Sequence, residues 1–138
     1  MQSHSDIKQF IYGGKAIFTL RSRKTSTRYT FKVKKKSDEC FFVSYLVGPG
    51  HYEYIGTIMG RRGQRFFRTT SKSKVTMEST PVKAFKWSLD QFECGHLPAD
   101  LEFFHEGRCA KCARPLTVPE SIKTGFGPEC AKSRYACN

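Results

Sequence analysis

The chain has 138 residues, of which 38% are hydrophobic and 14% aromatic, and it contains 24 Lys/Arg, 12 Asp/Glu and 6 Cys. This apolar content is enough for a small core, which excludes wholesale disorder. No segment approaches the roughly 20 apolar residues that a membrane-spanning helix needs. The first residues lack the charged start and apolar run of a secretion signal, so we expect the protein not to be secreted and to have no membrane partner.

The excess positive charge is confined to one half of the chain. The formal net charge is +12; residues 1–75 carry 16 Lys/Arg against 4 Asp/Glu, whereas residues 76–138 carry 8 of each. This local excess of positive charge favours a polyanionic partner. Nucleic acid, either DNA or RNA, is the leading candidate. The alternative is a solvated basic surface that only aids solubility.

The local patterns predict an α+β fold with a mostly antiparallel sheet. Ser3 and Asp6 form a helix-capping pattern that predicts a short helix over residues 5–12. Period-two alternation and turn residues then predict about five strands, and Thr80-Pro81 begins a helix that packs on the sheet. The expected strands cover residues 16–22, 28–34, 41–47, 52–59 and 64–69, and the packing helix covers residues 81–93.

A cysteine cluster in the last third of the chain has the spacing of a zinc site. Cys109 and Cys112 form a C-x-x-C pair, Cys130 follows after 17 intervening residues, and His105 lies just upstream. Three sulfurs and one imidazole are the ligand set of a tetrahedral structural zinc, so we predict one Zn²⁺ at these four residues. The fourth ligand remains open, with these alternatives to His105: Cys137, Cys94 and His96. We therefore divide the chain into a basic sheet domain, residues 1–96, and a zinc-binding module, residues 97–138.

The residues around the predicted zinc site do not indicate catalysis. Glu106 and Glu129 flank predicted ligands, but a catalytic zinc would keep one coordination position for water. The sequence has no H-E-x-x-H helix and no H-x-E…P-C-x-x-C deaminase pattern. We therefore expect a protein that is not an enzyme, and metal-dependent catalysis is the weakest of the hypotheses.

The run from Gly107 to Ile122, continued by residues 125–131, resembles a small zinc-binding domain of unknown function. That domain is common in bacteriophage and prophage proteins, and the shared pattern is C-x-x-C-x-R-x-L…P-x-S-I…G-x-G-P-x-C. The resemblance covers about the last quarter of the chain. It implies a phage or mobile-element origin, a location in the cytoplasm of a bacterial host cell, and a treble-clef-like arrangement of knuckle, hairpin and helix.

Two binding hypotheses follow from the basic half. The first is nucleic-acid binding without base-specific recognition, in which Lys and Arg neutralise phosphates. The second is inhibition of a host defence complex, as in anti-CRISPR proteins, by contact with protein. The candidate binding residues in both cases are Lys34, Lys35, Lys36, Arg61, Arg62, Arg65 and Arg68.

Overall fold

The computed structural model describes residues 3–115 and 125–126 of the chain. Two α-helices and six β-strands occur in these ranges. The helices are α1 (His4–Ile11) and α2 (Thr80–Glu93), and the strands are β1 (Lys15–Ser22), β2 (Arg28–Ser37), β3 (Cys40–Gly48), β4 (His51–Met59), β5 (Phe66–Arg68) and β6 (Leu101–His105).

The six strands form one sheet in the order β5-β4-β3-β2-β1-β6, and every neighbouring pair is antiparallel. The first five strands follow one another as a meander, so the predicted strands and the antiparallel α+β class are confirmed. The first helix is confirmed as well, since the Ser3 side chain accepts the N–H of Asp6 at 3.2 Å and caps α1.

The prediction of five strands misses β6. This strand pairs with β1, with Phe103 opposite Leu20 and His105 opposite Phe18. The segment Leu-Glu-Phe-Phe-His has no clean period of two, and its pairing partner lies about 80 residues earlier in the chain. Local patterns cannot show such a long-range pairing. The sheet extends beyond residue 96, and the division into 1–96 and 97–138 stays a prediction.

Both helices, rather than one, pack on the same face of the sheet. The ring of Phe18 on β1 contacts Phe10 of α1 at 6.4 Å and Phe85 of α2 at 6.5 Å between ring centroids. On the same face Phe18 also contacts Phe31 of β2 and Phe103 of β6. All four partners are aromatic, and this cluster forms the centre of the core. Neither helix in the described ranges has the length and apolar character needed to cross a membrane.

Replacement of Phe85 by Ala tests the arrangement of α2 on the sheet. The ring is buried and contacts Phe31 at 4.9 Å and Phe67 at 5.0 Å. We expect Phe85→Ala to lower the free energy of unfolding by about 3–5 kcal/mol, because it removes an aromatic ring and leaves a cavity. Chemical denaturation measures this change.

Trp87 supplies the control, because it lies on the same helix and is 51% exposed. Trp87→Ala should change the unfolding free energy by only about 0.5 kcal/mol. Equal effects of the two substitutions would contradict the observed orientation of α2.

Candidate functional site

Cys109 and Cys112 lie on one closed turn. The N–H of Cys109 donates to the carbonyl of Arg114 at 2.9 Å, and the N–H of Ala113 donates to the carbonyl of Cys109 at 2.9 Å. The amide of Lys111 donates to the Sγ of Cys109 at 3.4 Å. An N–H directed at sulfur favours the thiolate, which is the form that binds metal.

The residue after the second cysteine is held in a strained backbone conformation. Ala113 has a φ of 65°, in the left-handed region that residues other than glycine adopt rarely. That conformation costs roughly 1–2 kcal/mol for a residue with a Cβ. The hydrogen bonds of the turn therefore hold the chain in a closed form that the local sequence does not favour.

The turn is docked on the sheet rather than separate from it. The carbonyl of Ala110 accepts the N–H of Lys15, the first residue of β1, at 2.7 Å, and the N–H of Ala110 donates to Gly125 at 2.9 Å. The Phe126 ring is buried and contacts the Phe10 ring at 6.3 Å. Gly125 and Phe126 are thus held against the turn.

His105, the fourth predicted ligand, lies at the end of β6. Its Nδ1 accepts the N–H of Gly107 at 3.0 Å, and its ring lies 5.8 Å from the Phe10 ring. An Nδ1 that accepts a hydrogen bond leaves the ring proton on Nε2, so coordination of a metal through Nε2 would require this bond to Gly107 to be lost. Among residues 3–115 and 125–126, no three His, Cys, Asp or Glu side chains form a group that could hold an ion. Cys130 and Cys137 lie outside the described residues.

The seven candidate basic residues do not form one surface. Directly paired residues of antiparallel strands share a face, and Lys34 is paired with Phe42 while Arg68 is paired with Thr57. These residues lie on the face opposite the helices, as does Lys36, whose Nζ is 5.6 Å from the centre of the Phe42 ring. Lys35 is paired with the buried Phe41 and therefore lies on the helix-covered face, in a 2.8 Å ion pair with Asp38.

The turn between β4 and β5 carries the other two exposed candidates. Arg61 and Arg62 both lie at this turn with exposed side chains. The Nε of Arg61 forms a 3.0 Å ion pair with Glu39, but both side chains are well exposed, so the pair is weak and easily exchanged. Arg61 is therefore accessible to a partner at one end of the sheet, and the exposed side chain of Arg62 lies next to it in the same turn.

Arg65 supports the fold instead of lying on an open surface. Its guanidinium is stacked 4.1 Å from the centre of the Tyr12 ring and 5.0 Å from that of Phe41, and it donates to the carbonyl of Asp38 at 3.2 Å. The Tyr12 hydroxyl donates to Glu93 at 2.8 Å, and burial together with this carboxylate raises the pKa of Tyr12. Arg65 thus links the turn before β5 to the ends of both helices.

We call the face opposite the helices the open face. It carries a row of basic residues that charge clusters in the sequence do not predict. The cross-strand register places side chains in the order Arg68, Thr57, Phe42, Lys34 and Lys15 across five strands. Neighbouring strands are about 4.8 Å apart, so the row is about 19 Å long. Lys15 was missed because it stands alone in the sequence. Phe42 was missed because it lies in the apolar run that predicted a buried strand.

The open face has an acidic border at the β6 end. Glu102 forms ion pairs with Arg21 at 3.4 Å and with Arg23 at 3.8 Å. Glu106 accepts a hydrogen bond from the Thr19 hydroxyl. Partial burial, followed by the charge of Glu106, raises the pKa of Tyr52. Arg21 and Arg23 thus balance Glu102 at the β6 end, and the cations of the row lie on β1, β2 and β5.

Comparison with known proteins adds one match. Residues 99–135 match the model of a family described as a family of unknown function (DUF6011). The match covers the C-terminal quarter of the chain and supports the resemblance to a small uncharacterised domain. No curated protein and no solved structure matches the chain.

Gly13 provides a test of how the turn is docked. A Cβ at this position would lie 2.8 Å from the Cβ of Ala110 and 2.9 Å from its carbonyl oxygen, so Gly13→Ala must displace the cysteine turn. We expect a loss of about 1–3 kcal/mol in unfolding free energy, as for other overpacked sites.

Gly48→Ala is the matched control, because a Cβ at residue 48 meets no atom within 4 Å. Thermal unfolding of the two variants measures the difference. If Gly13→Ala melts at the same temperature as Gly48→Ala, the turn is not packed on residue 13.

Proposed function

We propose that the protein binds nucleic acid, DNA or RNA, through the open face and without base-specific recognition. The observation that carries the proposal is the row of cations on a sheet face that neither helix covers. Within the described part of the chain, Lys15, Lys34 and Arg68 form no salt bridge. Their charges are therefore available to phosphates.

The distribution of acidic groups supports the same ligand. Glu102 and Glu106 border the β6 end, and the exposed Arg61 and Arg62 lie at the opposite end of the sheet. Because Glu102 is paired with Arg21 and Arg23, the acidic groups at that end leave the cations of the row available to a phosphate backbone. Lysine and arginine contacts to phosphates fix position but carry no sequence information, which is why we propose binding that is independent of sequence.

We propose further that the C-terminal module holds one structural zinc through Cys109, Cys112, Cys130 and His105. The support is the closed turn around the first two cysteines, the N–H directed at Sγ of Cys109, and the docking of Gly125 and Phe126 against this turn. Four protein ligands leave no position for a reactive water, so the metal has no catalytic role in this proposal. The resemblance of residues 107–131 to a small phage-associated domain leads us to propose a treble-clef-like arrangement and a phage origin as well.

The zinc proposal predicts that replacement of a single cysteine removes zinc from the protein. Cys112→Ser should abolish stoichiometric zinc, because a neutral hydroxyl is a poor replacement for a thiolate ligand. Cys40→Ser is the control, since Cys40 lies at the start of β3 and belongs to no predicted ligand set. Elemental analysis of freshly purified protein measures both. Absence of zinc from the unsubstituted protein would refute the proposal.

The fourth ligand can be assigned by a parallel pair of variants. If His105 coordinates the metal, His105→Ala should lower zinc affinity while Cys137→Ser leaves it unchanged. The reverse result assigns the position to Cys137 and leaves His105 as a histidine packed beside Phe10. A competition titration with a chromogenic chelator distinguishes the two results.

The nucleic-acid proposal predicts that the affinity for oligonucleotides depends more on where the basic residues lie than on the net charge of the protein. Lys34→Glu combined with Arg68→Glu reverses two charges in the open-face row, whereas Lys24→Glu combined with Lys83→Glu makes the same change at exposed sites elsewhere. We expect the first pair to weaken binding to all oligonucleotides. Each lost phosphate contact should also reduce the log–log salt slope by about 0.7–0.9.

Fluorescence anisotropy of labelled oligonucleotides across a salt series measures both quantities. Equal losses for the two double variants would show a diffuse charge effect and contradict a site on the open face. Absence of binding by the unsubstituted protein at low salt would overturn the proposal. In that case, a stoichiometric protein partner that survives nuclease treatment would favour the alternative, an inhibitor of a host defence complex.

A further inference from the structure

Three of the aromatic side chains on the open face, Phe42, Tyr52 and Tyr54, lie together on β3 and β4. Phe42 is 37% exposed. Tyr54 and Tyr52 share its face, because they are paired with Ser44 and Leu46, which alternate with Phe42 along β3. The Phe42 and Tyr54 rings meet edge to face at 6.1 Å, and the Tyr54 hydroxyl is hydrogen-bonded to Thr70 at 2.9 Å. The rings are therefore held in place rather than loosely exposed.

Lysine ammonium groups lie close to two of these rings. The Nζ of Lys36 is 5.6 Å from the centre of the Phe42 ring, and the Nζ of Lys32 is 5.2 Å from that of Tyr52. Each ammonium lies over its ring, so a base that stacks on that side would replace it, and the displaced lysine would stay close enough to contact a phosphate. This combination is characteristic of surfaces that bind single-stranded nucleic acid, where bases stack on aromatic side chains and phosphates contact Lys or Arg.

We propose that Phe42, Tyr52 and Tyr54 stack unpaired bases, so that the ligand of the open face is single-stranded nucleic acid. This inference rests on the proposed nucleic-acid function and narrows it. In a duplex, the faces of the bases are covered by their neighbours, and only the phosphates could engage the lysines. An unpaired strand can use both the rings and the cations. Stacking requires no particular base, which agrees with binding that is independent of sequence.

The test compares ring removal with charge removal. Phe42→Leu combined with Tyr52→Leu keeps apolar side chains but removes two aromatic rings, and Trp87→Leu removes an exposed ring from α2, which packs on the other face. We expect the double variant to bind a single-stranded oligonucleotide more weakly by about 5- to 150-fold for each ring lost. Its affinity for a duplex of the same length and its salt slope should stay unchanged, because the phosphate contacts are retained.

The outcomes separate this inference from the function on which it rests. If the unsubstituted protein binds the duplex as tightly as the single strand, or if ring removal weakens both equally, base stacking is wrong and phosphate binding stands. If neither oligonucleotide binds, the proposed function itself fails. Thermal unfolding of the double variant shows whether the sheet is intact. An intact variant with undiminished affinity for the single strand would also overturn the inference.

Discussion

The packing of Phe18 is the interaction on which most of this structure depends. Its ring contacts one aromatic residue from each of four other elements, namely Phe10, Phe31, Phe85 and Phe103. These residues belong to α1, β2, α2 and β6, which are far apart in the chain. Edge-to-face and stacked ring pairs contribute about 0.5–1.5 kcal/mol beyond the burial of their surface. One position on β1 therefore joins both helices and the edge strand β6 to the sheet.

This arrangement makes the two faces of the sheet chemically different. Phe18, Phe31 and Phe67 are directed toward the helices, so the alternate residues of the same strands must point to the opposite side. On β2 the alternate residues include Lys32 and Lys34. One period-two pattern thus places the phenylalanines in the core and the lysines on the opposite face of the same sheet.

Local sequence signals predicted the elements well and their long-range contacts poorly. The first five strands follow from alternation and turns, and α1 follows from Ser3 and the spacing of its apolar residues. The strand β6 depends on a partner about 80 residues away. The face of Lys35 follows from its alternation with Phe31 and Val33 along β2, and the role of Arg65 depends on the approach of Tyr12. Charge clustering in the sequence could not separate these residues from Lys34 and Arg68.

The site prediction had a similar limit for the metal module. Residues 109–112 form a tight turn, which a zinc knuckle requires, but the C-x-x-C spacing contains no information on where that turn docks. The structure places the turn at the first residue of β1, where Lys15 donates its backbone N–H to Ala110 while its side chain ends the open-face row. Because one residue belongs to both features, the cysteine turn and the basic face are connected through a single strand end. If the proposed zinc binds at this turn, it would stabilise the end of the sheet at which the proposed binding row begins.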